Sequence, residues 1–353
     1  MRCLTLADGL KKRGAECQFI CREHPGNLID MIQGKGFVVH SLPSVEFKED
    51  KIFDADAGKE KSIYRSWLGV TQMEDSIETS KVLAGFDVDW LVVDHYALDS
   101  DWERVLSRHC RKTMVIDDLA DRAHHCHLLI DQTYDRSSND YRLLVPQHCQ
   151  LLCGSQYALL RTEFAELRQY SLRRRSKPEL RKLLIAMGGV DNENVTGTVL
   201  NVMQDIQFLV DCELTIILGA TSPWRLDIEK QAQNMPLSTN ILVDVPNMAH
   251  IMAESDLAIG AGGSTSWERC CLGLPAILYV LAKNQEKTAM GLGRVGAVRV
   301  INDLKCSPDA LSEILIDFHS CPEALADLSR SSALITEGKG TEIVIDALES
   351  SYG

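Results

Sequence analysis

The sequence predicts two doubly wound α/β domains facing a cleft, the first of them without its leading strand. Three observations carry this. Short apolar runs of strand length alternate with amphipathic stretches of helical spacing, the pattern of a mostly parallel sheet covered by helices. The alternation runs twice, interrupted by a basic stretch without apolar periodicity. The chain of 353 residues also exceeds what one hydrophobic core usually supports.

The elements follow in order. Met1, Leu4, Leu6, Ala7 and Leu10 recur at helical spacing, with Gly14 placed as a C-terminal cap, and Cys17 to Cys21 read as a strand. The chain thus opens on a helix. A doubly wound domain normally opens on a strand and a glycine turn, so a leading strand and turn are expected ahead of Met1. Phe37–His40, Trp90–Asp94, Lys112–Asp117 and His127–Asp131 are the next strands. Helical stretches are expected near 26–34, 71–85 and 99–110. Residues 167–180, with Arg168, Arg173, Arg174, Arg175, Lys177 and Pro178, read as a linker between a first domain at 1–166 and a second at 181–353. In the second domain the expected strands are Leu183–Met187, Leu214–Leu218, Asn240–Val243, Leu257–Gly260 and Ala276–Val280. They alternate with helices near 194–206, 225–233, 247–254 and 265–272. Two successive α/β halves imply a cleft where a ligand binds.

Composition narrows the function. A formal net charge of -13 disfavours broad attraction to nucleic acid or anionic lipid, so any phosphate must be held locally. No apolar run approaches the ~20 residues that span a bilayer, and no signal-peptide pattern opens the sequence. The expected setting is the cytoplasm, without membrane or nucleic-acid partner, and the expected state is a monomer. Twelve cysteines without a CxxC pair suggest free thiols. Cys17 with Cys21, and the run His124 to His127, lack the spaced pairs of a zinc site, so no metal is expected.

The strongest local signal is Gly260 to Glu268. Gly262 and Gly263 let a ligand approach the backbone, a helix N-terminus lies behind them, and Ser264 and Thr265 add hydroxyls. Glu268 on the first helical turn can accept from a ribose hydroxyl. Taken alone, the same segment also reads as a capped strand-to-helix turn. A second such turn, Gly188-Gly189-Val190-Asp191-Asn192-Glu193-Asn194, follows the strand ending at Met187. Neither matches GxGxxG and no GxxxxGK[ST] occurs, which weakens dinucleotide oxidoreductase and P-loop readings. Asn284 and Gln285 follow the run Ala276–Val280 and can orient a sugar hydroxyl or an acetamido group, or simply cap a helix.

The motifs Met1-Arg2-Cys3-Leu4-Thr5-Leu6-Ala7, Asp94-His95-Tyr96, Asp117-Asp118-Leu119-Ala120-Asp121-Arg122, Asp131-Gln132-Thr133-Tyr134, Tyr157-Ala158-Leu159-Leu160-Arg161, Gly188-Gly189-Val190-Asp191 and Gly262-Gly263-Ser264-Thr265-Ser266-Trp267-Glu268 occur in that order. Together they resemble, over essentially the whole chain, the UDP-2,4-diacetamido-2,4,6-trideoxy-β-L-altropyranose hydrolases of pseudaminic acid biosynthesis. That family is similar in turn to the GT-B glycosyltransferases, with two Rossmann-like domains, and especially to the peptidoglycan enzyme that transfers GlcNAc from UDP-GlcNAc.

The resemblance implies hydrolysis of the sugar–UDP bond, free of metal and cofactor, by attack of water at the anomeric carbon with inversion. It assigns the diphosphate and ribose to Gly262, Gly263, Ser264, Thr265 and Glu268. The backbone from Val245 to Met248 would meet the uracil, and Gly188, Gly189, Asp191 and Asn194 would line the cleft. Tyr96 and Asn284, the latter with Gln285 beside it, would lie at the reacting sugar. In the family a glycine-rich turn ending in Gly-His lies just before the segment matching Met1 to Leu4, and its histidine is the expected base. None of the ten histidines here matches it, and His95 stands beside that position rather than in it. Two other readings stay open: a GT-B glycosyltransferase acting on a different acceptor, and a UDP-sugar-binding protein without turnover.

Overall fold

The computed structural model describes residues 1–44, 59–302 and 307–350. They divide into two compact units, one of residues 1–159 with 341–353 and one of residues 160–340.

The second unit is the more regular. Its elements are α6 (Thr162–Arg174), β7 (Lys182–Ala186), α7 (Val195–Gln204), β8 (Glu213–Leu218), α8 (Arg225–Gln233), β9 (Ser238–Val243), α9 (Met248–Glu254), β10 (Leu257–Ala261), α10 (Thr265–Cys271), β11 (Ala276–Tyr279), α11 (Lys283–Arg294), β12 (Arg299–Ile301), α12 (Ser307–Ser320) and α13 (Glu323–Ala333). The six strands form one parallel sheet in the order β12-β11-β10-β7-β8-β9. The order reverses between β7 and β10, so the crevice at their carboxyl ends is the switch point where such sheets bind ligands. Both glycine turns follow these two adjacent strands, which pair Ala186 with Gly260. Leu183, Ile185, Leu214, Ile216, Leu257, Ile259 and Ile277 supply the sheet side of the core, closed by Val199, Leu200, Leu311, Leu315 and Phe318 from the helices.

The stretch expected as a linker is instead mostly α6, and its arginines serve the helices of the same unit. Arg168 donates to the carbonyls of Cys271, Thr336 and Ala333, and Arg175 donates to those of Met252 and Ser255. These carbonyls lie at the ends of α10, α13 and α9. A helix leaves its last four carbonyls without internal partners and a partial negative charge there, so the basic run is tertiary capping. Burial, with Arg174 adjacent, lowers the Arg175 guanidinium to about 9.

The first unit holds α1 (Arg2–Lys12), β1 (Gln18–Arg22), α2 (Ile29–Gly34), β2 (Val38–Leu42), α3 (Lys59–Leu68), α4 (Gln72–Leu83), β3 (Val88–Val93), α5 (Ser100–Leu106), β4 (Cys110–Ile116), β5 (Leu128–Asp131) and β6 (Gln150–Cys153). Nearly all of α14 (Gly340–Ser350) also belongs to it. Val344, Ile345 and Leu348 of α14 share a core with Leu6 of α1 and with Met114, Ile116, Leu128 and Ile130 of the sheet. The boundary expected at the chain's end is therefore corrected: residues 341–350 return to the first unit because the apolar stripe of α14 is buried there.

The strands form two parallel sheets, β1-β2 and β3-β4-β5-β6. In the second unit β7 precedes α7 and pairs with both β8 and β10. In the first, α1 leads into β1 as α7 leads into β8, and among the described residues no strand corresponds to β7. Burial registers the difference. Every residue of β10 is buried, whereas its counterpart β3 is only partly buried until its last residue, Val93.

Candidate functional site

The site is best defined at the carboxyl ends of β10 and β7. Gly260 must be glycine, since a Cβ there would lie 2.3 Å from Arg269 Nη1 and 2.5 Å from the Ala186 carbonyl. Beyond it the chain turns over Gly262 and Gly263 into α10. Gly262 N–H is tied to the Tyr279 carbonyl at 3.1 Å, and the first turn closes with Ser266 N–H to Gly263 O and Trp267 N–H to Ser264 O. No side chain caps this helix. The N–H groups of Gly263, Ser264 and Thr265 make no hydrogen bond among the described residues, as the first amides of a helix without a side-chain cap.

Charge around the turn is arranged to match. Arg269 is buried beneath it and donates to Ala261 O at 2.6 Å, Thr265 Oγ1 at 3.3 Å and Ser266 Oγ at 3.3 Å. No carboxylate lies within ion-pair distance of it among the described residues. Burial lowers its guanidinium to about 10, which still leaves it charged at neutral pH. A buried cation with no carboxylate in direct contact makes the turn above it favourable for an anion, Glu268 acting on it only from beyond ion-pair distance.

Glu268 stands on the other side. Burial raises its carboxyl, and the neighbouring Arg161 opposes that rise. It accepts no hydrogen bond among the described residues; its nearest cation is Arg161, 3.9 Å away. Arg161 in turn donates to the Pro246 carbonyl at 3.3 Å and pairs with Glu163 at 3.0 Å. It thereby ties Glu268 to the Val245–Met248 segment, which leaves β9 through the left-handed residue Asp244. Arg161 lies inside a sequence motif that gives it no role of its own, and the sequence signal for Arg269 is slight, an arginine set among residues whose spacing buries them.

Gln285 packs against Gly262, and its Oε1 accepts from Leu281 N–H at 3.0 Å, so half of its amide already caps α11. Asn284 is exposed. The Gly188–Asn194 turn is built differently from the Gly262 turn. Asp191, itself left-handed, accepts from Val195 and Thr196 N–H at 2.9 Å each, and Asn194 accepts from Gly197 N–H at 3.1 Å. The first amides of α7 are therefore occupied by its own cap, and the helix end offers no open anion site.

Tyr96 lies in the first unit, just past β3. Its hydroxyl donates to Asp118 Oδ2 at 2.8 Å, and the same oxygen receives Arg2 Nη1 at 2.6 Å. Arg2 also grips Asp94 with Nε and Nη2. Burial works against the Asp94 carboxylate, yet Arg2 holds it below its usual range; Tyr96 is pushed up by burial and by Asp118. His95 turns its Nδ1 to Ala97 N–H at 3.1 Å, and burial lowers its pKa.

Comparison with known proteins fixes the family. The model for the glycosyltransferase family 28 C-terminal domain matches residues 151–341, more than half of the chain. The chain belongs to this family. Among its relatives is the UDP-2,4-diacetamido-2,4,6-trideoxy-β-L-altropyranose hydrolase of Campylobacter jejuni, 30% identical over 211 residues, which are 58% of this chain and 71% of that protein. The spore coat polysaccharide biosynthesis protein SpsG of Bacillus subtilis is 25% identical over 217 residues, 60% of this chain and 61% of that one. In three dimensions the chain is similar to Acinetobacter baumannii MurG, with TM-score 0.65, 13% identity and coverage of 99% and 95% of the two chains. LpCGTa in complex with UDP gives TM-score 0.62 at 11% identity, covering 98% and 95%. At such identities these structures show the fold alone, the α/β GT-B fold with two Rossmann-like domains built on parallel sheets. No helix among the described residues is long and apolar enough to cross a membrane.

Proposed function

We propose that the protein binds a UDP-sugar and is a hydrolase of the sugar–UDP bond, with UDP-2,4-diacetamido-2,4,6-trideoxy-β-L-altropyranose as substrate. The observation that carries this reading is the open turn Gly263-Ser264-Thr265 above buried Arg269, with the Glu268 carboxylate, held 3.9 Å from Arg161 and accepting no hydrogen bond among the described residues, beside it. The N–H groups and the Arg269 charge suit a diphosphate, and Glu268 suits the ribose hydroxyls. The Val245–Met248 backbone suits the uracil edge, and Gly188 and Gly189 line the adjacent strand end without gripping charge. The Campylobacter relative, whose printed name is that of the hydrolase, supports the substrate.

In the reaction the C1–O bond to the β-phosphate breaks with its electron pair going to UDP. The oxygen of water forms the new bond on the opposite face, and its proton leaves to a base. The fixed donors at the turn stabilise the charge that develops on UDP, so no strong general acid is needed. Tyr96 and Asn284 are assigned to the sugar. The resemblance implies a histidine base to take the proton of water, and no residue of Met1–Gly353 is assigned that role. A second reading is binding of the nucleotide sugar without turnover.

Titration calorimetry with UDP and with the UDP-diacetamido sugar, followed by measurement of UDP release without any acceptor, tests both. Binding with release of UDP supports the hydrolase, and binding with none supports the second reading. Release only on addition of an acceptor would make the protein a transferase. No binding of UDP at millimolar concentration overturns the proposal.

A further inference from the structure

The amino ends of β5 and β6, in the first unit, bring together two thiols that no assigned role uses. Cys126 lies two residues before β5 and Cys149 directly before β6. Their Sγ atoms are 3.5 Å apart. Among the described residues no other two cysteine sulfurs are hydrogen-bonded to each other. The two thiols differ in access. Cys126 is fully buried in a core with Val115, Leu129 and Tyr141, whereas Cys149 packs against the rim of that core and is half-buried, with exposed residues His148 and Gln150 on either side. One sulfur is thus within reach of a small molecule in solution, and the second stands directly behind it.

This arrangement orders the two sulfurs in a reaction. The hydrogen bond to Cys149, then burial, then the charge of an ionised Cys149 push the Cys126 thiol up. Cys126 therefore keeps its proton while Cys149 is a thiolate, and attack on an oxidant falls to the accessible Cys149. Once the Cys149 sulfur is bonded to a leaving group it carries no negative charge, and the restraint it placed on Cys126 is lifted. A disulfide requires the sulfurs to close from 3.5 Å to about 2.05 Å, which asks for movement of two side chains on segments that lie outside the strands.

We propose that Cys126 and Cys149 are a site of reversible oxidation, a dithiol that a low-molecular-weight disulfide such as glutathione disulfide converts to a bond joining the entries to β5 and β6. The Cys149 thiolate attacks one sulfur of glutathione disulfide, forming a mixed disulfide and releasing one glutathione thiolate. Cys126, its proton passing to water, then attacks Sγ of Cys149 and releases the second. Two protein thiols lose two electrons, and one disulfide is reduced to two thiols. The bond closes the segment that carries Tyr141 and Arg136. The Tyr141 hydroxyl lies 2.8 Å from Asp117 Oδ2 and 2.7 Å from Asp131 Oδ2, and Arg136 donates to the Asp118 carbonyl at 2.7 Å. Oxidation thus stiffens the support of the loop after β4. The site stands whether or not the protein binds a UDP-sugar.

The experiment incubates the whole chain with glutathione disulfide at neutral pH, alkylates the remaining thiols and maps tryptic peptides without reduction. The expected product joins peptide 123–136 to peptide 143–161, with fragmentation placing the bond on Cys149 rather than on Cys153 of the same peptide. Because the second sulfur is held in place, this link is expected to outweigh every other cysteine pairing by about tenfold. The oxidised protein should melt about 5–10 °C higher than the reduced protein, and dithiothreitol should return it to the reduced value. Cys126→Ala should stop at the mixed disulfide on Cys149, and Cys149→Ala should leave Cys126 unmodified. The mapping of wild type decides the matter even if a variant fails to fold. Wild type that accumulates glutathione on Cys149 without the link overturns the proposal. So does Cys149 left unmodified under conditions that modify the exposed Cys321. A link that lowers the melting temperature overturns it too, since such a bond forms only by distorting the strands.

Discussion

Replacing Gly263 by alanine separates the demands of the fold from those of a ligand. The residue is not in the left-handed region, and an added Cβ would meet no heavy atom within 4 Å. The methyl group therefore costs the folded protein nothing by clash, and the stiffer unfolded chain stabilises it by about 0.4–1 kcal/mol. For a ligand the outcome is opposite. The methyl would stand where a diphosphate must lie to reach the N–H groups of Gly263, Ser264 and Thr265. Loss of one hydrogen bond to a charged group costs about 1.5–3 kcal/mol, a rise in Kd of about 10- to 150-fold. The assay is calorimetry with UDP beside a thermal melt of the same samples. Gly189→Ala serves as the control: its Cβ also meets open space, but the amides of the helix behind it are already capped, so UDP affinity is expected within about twofold of wild type. If Gly263→Ala binds UDP as wild type does, the diphosphate does not sit on this turn and the reasoning fails.

Three further outcomes follow from the same geometry. Asp191→Ala removes the acceptor of two first-turn amides and should cost about 1–2 kcal/mol in urea denaturation with little change in UDP affinity; a loss of affinity much larger than the loss of stability would mean that Asp191 holds ligand. Burial raises the Glu268 carboxyl above its ordinary value, and ribose hydroxyls favour the ionised form, so UDP affinity should be full above the raised pKa and fall as pH drops through it. In stability the sign reverses: the raised carboxyl contributes below its unfolded pKa and that contribution is lost as pH rises, so Glu268→Gln should be no less stable than wild type at neutral pH, with weaker and pH-independent UDP binding; a binding curve that keeps the wild-type pH dependence would exclude Glu268 as its source. Arg161→Met frees both Glu268 and the Pro246 carbonyl and should weaken UDP about three- to tenfold while reducing discrimination between UDP and 2′-deoxy-UDP, and unchanged discrimination would show that Arg161 does not position Glu268.

Much of this architecture was legible because it is local. The strand runs from Leu183 to Val280 reappear as β7 to β11 with ends shifted by a residue or two, since continuous apolar runs of four to six residues between glycine turns have few alternatives to buried parallel strands. What could not be read depends on partners far along the chain. Arg168 looks like part of a solvated basic run until the carbonyl of Thr336, 168 residues away, is seen to accept from it. Val344, Ile345 and Leu348 announce an amphipathic helix, but periodicity says nothing about which sheet the stripe will cover. Arg161 matters only because Pro246 and Glu268 converge on it.

The two glycine turns show how a small displacement of an acid changes what a helix end can do. Both follow the central strands of one sheet, and both open on a Gly-Gly pair. In the Gly188 turn the acid lies before the helix: Asp191 precedes Val195 by four residues, and its short side chain folds back onto the amides of Val195 and Thr196. In the Gly262 turn the acid lies within the helix: Glu268 is the fourth residue of α10 and accepts nothing from the first amides. A carboxylate ahead of the helix satisfies the dipole from inside the chain, whereas one within it leaves the dipole unsatisfied and stands aside as a separate acceptor. Buried Arg269 then adds a positive charge with no carboxylate within ion-pair distance among the described residues. An anion that also offers hydroxyls to Glu268 would meet those donors, that cation and that acceptor together. A nucleoside diphosphate carries both groups on one molecule, which is why the charge arrangement, more than the glycines, points to this ligand class.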